Sequence, residues 1–173
     1  MLNHKKLLLI VLIAISLILS IALYLCRPIA YVKDEITYVQ DSVCGRNDVS
    51  MDLMYIPYSV STRIPVSIEQ FQTIYTQKIH INAEERPVIE DACESLKKLK
   101  PTMKLDSSFN TRWGLIGYSD KANKLFALYG DGKGHCSIKD MFFSCSSSMD
   151  TWVQNLFLAE KVGTSVVIGD KSR

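Results

Sequence analysis

The spacing of apolar positions changes several times along this chain, and each change marks an element. From Leu7 to Leu25 the run LLLIVLIAISLILSIALYL holds 19 residues with nothing more polar than Ser16, Ser20 and Tyr24. As a helix it is about 28 Å long, close to the hydrocarbon thickness of a bilayer. It has no polar face, which argues for a membrane-spanning helix over the core helix of a globular domain. After Arg27-Pro28 the pattern weakens. Ile29 to Gln40 alternates poorly and is expected to leave the membrane as an extended strand or stalk. In VSMDLMYI, Val49, Met51, Leu53 and Tyr55 recur at period two, so the segment predicts a half-buried strand ended by Pro57.

Helical spacing then takes over. In PVSIEQFQTIYTQ, Ser67 and Gln70 form a capping box, and Val66 can pack on Phe71 as a hydrophobic staple. Ile68, Phe71, Ile74 and Tyr75 fall on one face. A second helix is predicted in ERPVIEDACESLKKLK, with Pro87 near its first turn and Pro101 past its end. Its apolar face is Ile89, Ala92, Cys93, Leu96 and Leu99. TRWGLIGYS and KLFALYG flank SDKAN as a hairpin of two central strands, and HCSIKDMFF predicts the third strand of a meander. MDTWVQNLFLAEKV is a third helix with Trp152, Val153, Leu156 and Phe157 on one face and Gly163 as its stop. TSVVIG suits a last strand.

The expected fold class is therefore α+β: an N-terminal transmembrane helix, then one small disulfide-containing domain with an antiparallel sheet and about three helices. The divisions are residues 1–6 in the cytoplasm, 7–26 as signal anchor, 27–43 as stalk or first strand, and 44–173 as the outer domain. Ser20 and Ala22 satisfy the small-residue rule for cleavage after Ala22. The apolar run is longer than a cleavable core of about 7–15 residues, so an uncleaved anchor is expected.

Charge sets the orientation. His4, Lys5 and Lys6 precede the apolar run, which keeps that end cytoplasmic and puts everything after Arg27 outside, in the periplasm. Two of the 20 basic residues, Lys5 and Lys6, carry the formal excess of +2, and the other 18 balance the 18 acidic residues that follow. A neutral outer domain has no electrostatic footprint for nucleic acid. Cys44, Cys93, Cys136 and Cys145 lie outside, an even number in an oxidising compartment, which indicates two disulfides. Three pairings exist; the local choice is Cys136–Cys145, leaving Cys44–Cys93. Cys26 falls at the membrane edge as an unreactive thiol or an interchain bridge. No Asn-x-Ser/Thr sequon occurs, in keeping with a bacterial periplasm.

The stretch GDGKGHCSIKDMFFSCSSSMD, Gly130 to Asp150, gathers glycines, a histidine, two cysteines and three of the chain's aspartates. A Walker loop needs Gly-Lys followed by Ser or Thr, but Gly134 follows Lys133. Gly130, Gly132 and Gly134 precede a strand, whereas a dinucleotide fingerprint opens a helix. A metal set from Asp131, His135 and Cys136 needs a thiolate that a disulfide removes. The expectation is a glycine turn and a staple. Ser95-Leu96-Lys97-Lys98, Ser119-Asp120 and Lys161-Val162-Gly163 imitate the β-lactamase motifs in order, but Ser95 lies mid-helix and the chain is too short for that fold. Glu84, Glu85, Glu90, Asp91 and Glu94 precede Lys97, Lys98 and Lys100 along one helix, the polarity that its dipole favours, and read as a solvated face. His80, between Ile79 and Ile81, has no second ligand nearby.

No catalytic set, cofactor site or metal site is expected, and the chain is read as a protein-binding rather than an enzymatic domain. Trp113, Tyr118, Phe126 and Tyr129 on the hairpin are the candidate partner surface, with core packing as the alternative. Pilin-like proteins share an N-terminal apolar helix and a C-terminal disulfide loop, but this run has an ordinary basic flank and lacks their early acidic residue. In general build the chain resembles the small anchored periplasmic proteins of enteric-type bacteria, a class that includes immunity proteins against toxins delivered by contact-dependent or type VI secretion. The resemblance covers architecture only. It implies an immunity protein or inhibitor of a secreted toxin; a structural or regulatory accessory of an envelope complex comes second and a small envelope hydrolase third.

Overall fold

A computed structural model describes residues 4–62, 64–103, 109–119 and 123–163. The elements run α1 (His4–Cys44), β1 (Ser50–Tyr55), α2 (Ile68–Ile74), β2 (Gln77–Ile81), α3 (Arg86–Lys97), β3 (Thr102–Met103), β4 (Trp113–Tyr118), β5 (Lys124–Gly130), β6 (His135–Ile138), β7 (Met141–Ser144) and α4 (Ser148–Gly163). The seven strands form one antiparallel sheet in the order β2-β1-β4-β5-β6-β7-β3. The α+β class, the apolar N-terminal helix and both disulfides are as expected. Cys44–Cys93 and Cys136–Cys145 close separations of 49 and 9 residues. Loops of those lengths correspond to about 4 and about 2.5 kcal/mol in the chain-entropy picture.

One face of the sheet carries the main core. Met51, Leu53, Leu115, Leu128 and Ile138 point into it from the strands, and α1, α3 and α4 cover it. The predicted inward face of α3, including Cys93, is buried throughout. The opposite face holds a smaller cluster, in which Met54, Ile56, Ile116 and Tyr129 meet Val66 and Phe71 under α2. The Ser67–Gln70 capping box is present in both directions and fixes the start of α2. β1 is thus covered on both faces rather than half-buried, with five of its six residues inside.

The largest correction concerns the stalk. Residues 27–43 form no strand or extended segment; α1 continues through Pro28 to Cys44 without a break. Val32, Ile36, Val39 and Val43 recur at steps of four, three and four, one helical face, and all four are buried in the main core. Burial of that face stabilises this half of the helix by several kcal/mol, enough to carry it past a proline that removes one backbone donor. Gln40 Nε2 donates to Leu96 O at 2.8 Å, Lys139 Nζ meets Glu35 at 2.7 Å, and the Cys44–Cys93 disulfide ties the end of α1 to α3. α1 is long and apolar enough to cross a membrane, by length and composition.

HCSIKDMFF is two strands, because Lys139 and Asp140 form a two-residue turn with φ of 46° and 63° and Ile138 pairs with Met141. Gln77–Ile81, where the pattern predicts no strand, is the strand at one edge of the sheet. On α2 only Phe71 is fully buried and Ile74 is exposed, since the helix ends there and turns into β2. The segment TSVVIG lies outside the described residues.

Candidate functional site

The stretch from Gly130 to Asp150 is held by two buried carboxylates. Asp131 Oδ1 accepts from the Lys133 and His135 amides at 2.8 and 3.0 Å, and Oδ2 lies 2.6 Å from His135 Nδ1. Asp150, in the first turn of α4, accepts from Trp113 Nε1 at 2.6 Å and from the Gly134 amide at 2.9 Å. Gly132 and Gly134 have φ of 70° and 83°, which the tight turn requires, and a side chain at Gly132 would collide with the Tyr58 hydroxyl. Burial pushes the Asp150 carboxyl above its usual range, with the Trp113 and Gly134 hydrogen bonds pulling the other way. Burial and the Asp150 charge also raise the Tyr58 hydroxyl. Cys136 and Cys145 are bonded to each other, so neither sulfur is a thiolate. The arrangement clamps the turn, β4 and the start of α4 together. It is the turn and staple expected, with Asp150 and Trp113 as members that spacing did not reveal.

Three of the four aromatics of the expected partner surface are not displayed. Trp113, Phe126 and Tyr129 are buried, and Tyr118 is half-buried. The physical reason is written into the β4–β5 register, where Trp113 faces Gly130, Tyr129 faces Gly114 and Phe126 faces Gly117. A methyl group on Gly130 would stand 2.1 Å from the Trp113 ring, and one on Gly117 would stand 2.1 Å from Phe126. Each ring lies across the glycine of the neighbouring strand, so these aromatics pack inward instead of displaying themselves.

On the smaller face a polar trio borders the open end of the sheet. Asp52 lies opposite His80 across β1 and β2, 2.8 Å from its Nδ1 and 2.9 Å from Lys78 Nζ. Burial would raise the Asp52 carboxyl, but the Lys78 and His80 hydrogen bonds outweigh it and hold the group below its ordinary value. An open groove of about 780 Å³ begins here, with Asp48, Glu84 and Tyr118 on its walls. His80 is therefore a surface partner of Asp52. On α3, Glu90, Asp91 and Glu94 face solvent, and Glu94 meets Lys97 at 3.7 Å, a solvated face as expected. Among the described residues no three His, Cys, Asp or Glu side chains converge on a metal position.

Exposed large apolar side chains beyond the first half of α1 sit elsewhere than predicted. They include Tyr31 and Tyr38 on the outer side of α1, Ile64 and Ile74 around α2, Phe142 on β7 and Leu158 on α4. Ile64 is the most open of these, at 74%. Compared with protein-family models, with curated proteins and with solved structures, the chain matches none.

Proposed function

We propose that this chain is a single-pass membrane protein whose N-terminus is cytoplasmic and whose disulfide-braced domain stands outside the membrane as a binding module for another protein. The observation that carries the reading is α1 itself. One unbroken helix holds both the apolar run and the face formed by Val32, Ile36, Val39 and Val43, which belongs to the core of the domain. The two disulfides support an oxidising compartment, and the lysines before the apolar run support the orientation.

The continuous helix also bears on the kind of partner. An immunity protein that meets a diffusing toxin needs only a tether. A rigid join fixes the height and tilt of the domain above the bilayer, which serves a partner that is itself held in the membrane. The accessory of an envelope complex is thus the favoured partner class, with toxin inhibition as the alternative.

A flexible insertion tests this. Ten Gly and Ser residues placed between Cys26 and Arg27 should leave both disulfides and the folding of the domain unchanged. Cross-linking of the full-length protein to its partner in native membranes should fall at least tenfold. Unchanged cross-linking would favour the diffusing partner. Free thiols at Cys136 and Cys145 in membranes prepared under alkylating conditions would contradict the extracytoplasmic placement.

A further inference from the structure

The β5–β6 ladder is shorter than β5. Gly130, Tyr129 and Leu128 pair with Cys136, Ser137 and Ile138, and there the ladder stops, because Lys139 and Asp140 turn the chain back into β7. β5 runs on to Lys124, paired with β4 on its other side. Among the described residues, no strand stands opposite Lys124–Ala127 on the β6 side. The Asp131 amide donates to His135 O on that side, and two-residue alternation turns the Tyr129 and Ala127 amides the same way. The irregularity in the β4–β5 register skips Leu125, beyond Ala127, so the alternation holds as far as Ala127. Its amide faces the space past Ile138.

That space is a slot of about 370 Å³ in line with the sheet. Ile68 and Gln72 of α2 wall it on one face, and Glu35 of α1, bonded to Lys139, walls it on the other. A helix about 10 Å across is too wide for a place that a strand would take about 4.8 Å from β5. Three or four extended residues would cover Lys124–Ala127. Lys124 and Asp140 put one charge of each sign on the rim, so the backbone groups, not net charge, select the occupant. Glu35 lies ten residues beyond Leu25, about 15 Å along the helix. An extended chain leaving the same bilayer covers that rise in about five residues.

We propose that this slot takes a short extended segment of a membrane-anchored partner protein, from just beyond the partner's own spanning segment, as an added strand on the edge of β5 that the described residues leave open. The inference rests on the protein-binding reading above and assigns it a site.

The test places a benzophenone amino acid at Lys124 of the full-length protein in native membranes, with Tyr38 and Glu90 as control positions. An adduct should form from Lys124 and map, by mass spectrometry, next to a spanning segment of the captured protein. Ala127→Pro, which removes the amide, should lower its yield at least tenfold, while Ala127→Ser leaves it unchanged. Ile68→Trp, which fills the slot from α2 without touching β5, should lower it as well, and both disulfides serve as the check on folding. A yield insensitive to Ala127→Pro and Ile68→Trp, an adduct mapping to a region remote from any spanning segment, or adducts from the control positions alone would overturn the slot while leaving the protein-binding reading intact. Absence of adducts from every position would overturn both.

Discussion

The two halves of α1 obey different rules. Before Leu25 the helix is apolar on every side, and the described side chains there, Ile10, Leu12, Ile15 and Leu19 among them, are all exposed. After Arg27 it is apolar on one stripe only, and that stripe is buried while Lys33, Asp34 and Tyr38 face outward. The first half therefore calls for an apolar medium around it, and the second supplies its own partner in the sheet and α3. Backbone geometry is the same in both. The difference lies in how many faces the sequence makes apolar, and Pro28 stands where the pattern changes.

Mirrored substitutions break the comparison most strongly. Ile36→Asp buries an unpaired carboxylate in the main core and should cost more than about 4 kcal/mol, enough to unfold the domain. Ile15→Ala, in the all-apolar half, should leave the denaturation midpoint of the domain in detergent unchanged. Next in size is the disulfide at the far end of α1. Replacing Cys44 and Cys93 by Ser should cost about 4 kcal/mol, against about 2.5 kcal/mol for the Cys136 and Cys145 pair, read as a difference in urea midpoints.

The junction itself gives a smaller effect of opposite sign. Pro28→Ala restores the missing donor and should stabilise the helix locally by about 1–3 kcal/mol. Amide exchange on either side of residue 28 should slow, while the unfolding midpoint of the domain stays in place. Smallest is Glu35→Gln, which removes an ion pair whose lysine is largely exposed. It should change stability by less than about 1 kcal/mol; a larger loss would mean that this contact, and not the valine and isoleucine face, holds α1 down.

Much of this was readable in the sequence because the signals were local. The Ser67–Gln70 box, the apolar face of α3 and the β4–β5 hairpin each depend on residues a few positions apart. Even number and chain distance favoured, among three possible pairings, the one that formed. The second half of α1 was misread although Val32, Ile36, Val39 and Val43 keep helical spacing, because Pro28 looked like a terminus and polar residues separate the apolar ones. Lys139-Asp140 lacks the Gly that, next to an Asp, marks a two-residue hairpin turn, so the pattern along the chain does not announce it. Trp113, Phe126 and Tyr129 looked displayable until the register set each beside a glycine, a relation across strands that no window along the chain contains. The slot beside β5 is further from view, since it follows from two ladders ending at different places.

The central claim is that α1 is one rigid helix across the Arg27-Pro28 junction. The direct measurement is the distance between spin labels at Ser20 and Tyr38, with Cys26 replaced by Ser, on the full-length protein in lipid nanodiscs. Eighteen residues at helical rise predict a narrow distribution near ~27 Å. A broad distribution reaching well beyond ~35 Å, as an extended stalk at up to about 3.3 Å per residue would give, would contradict it.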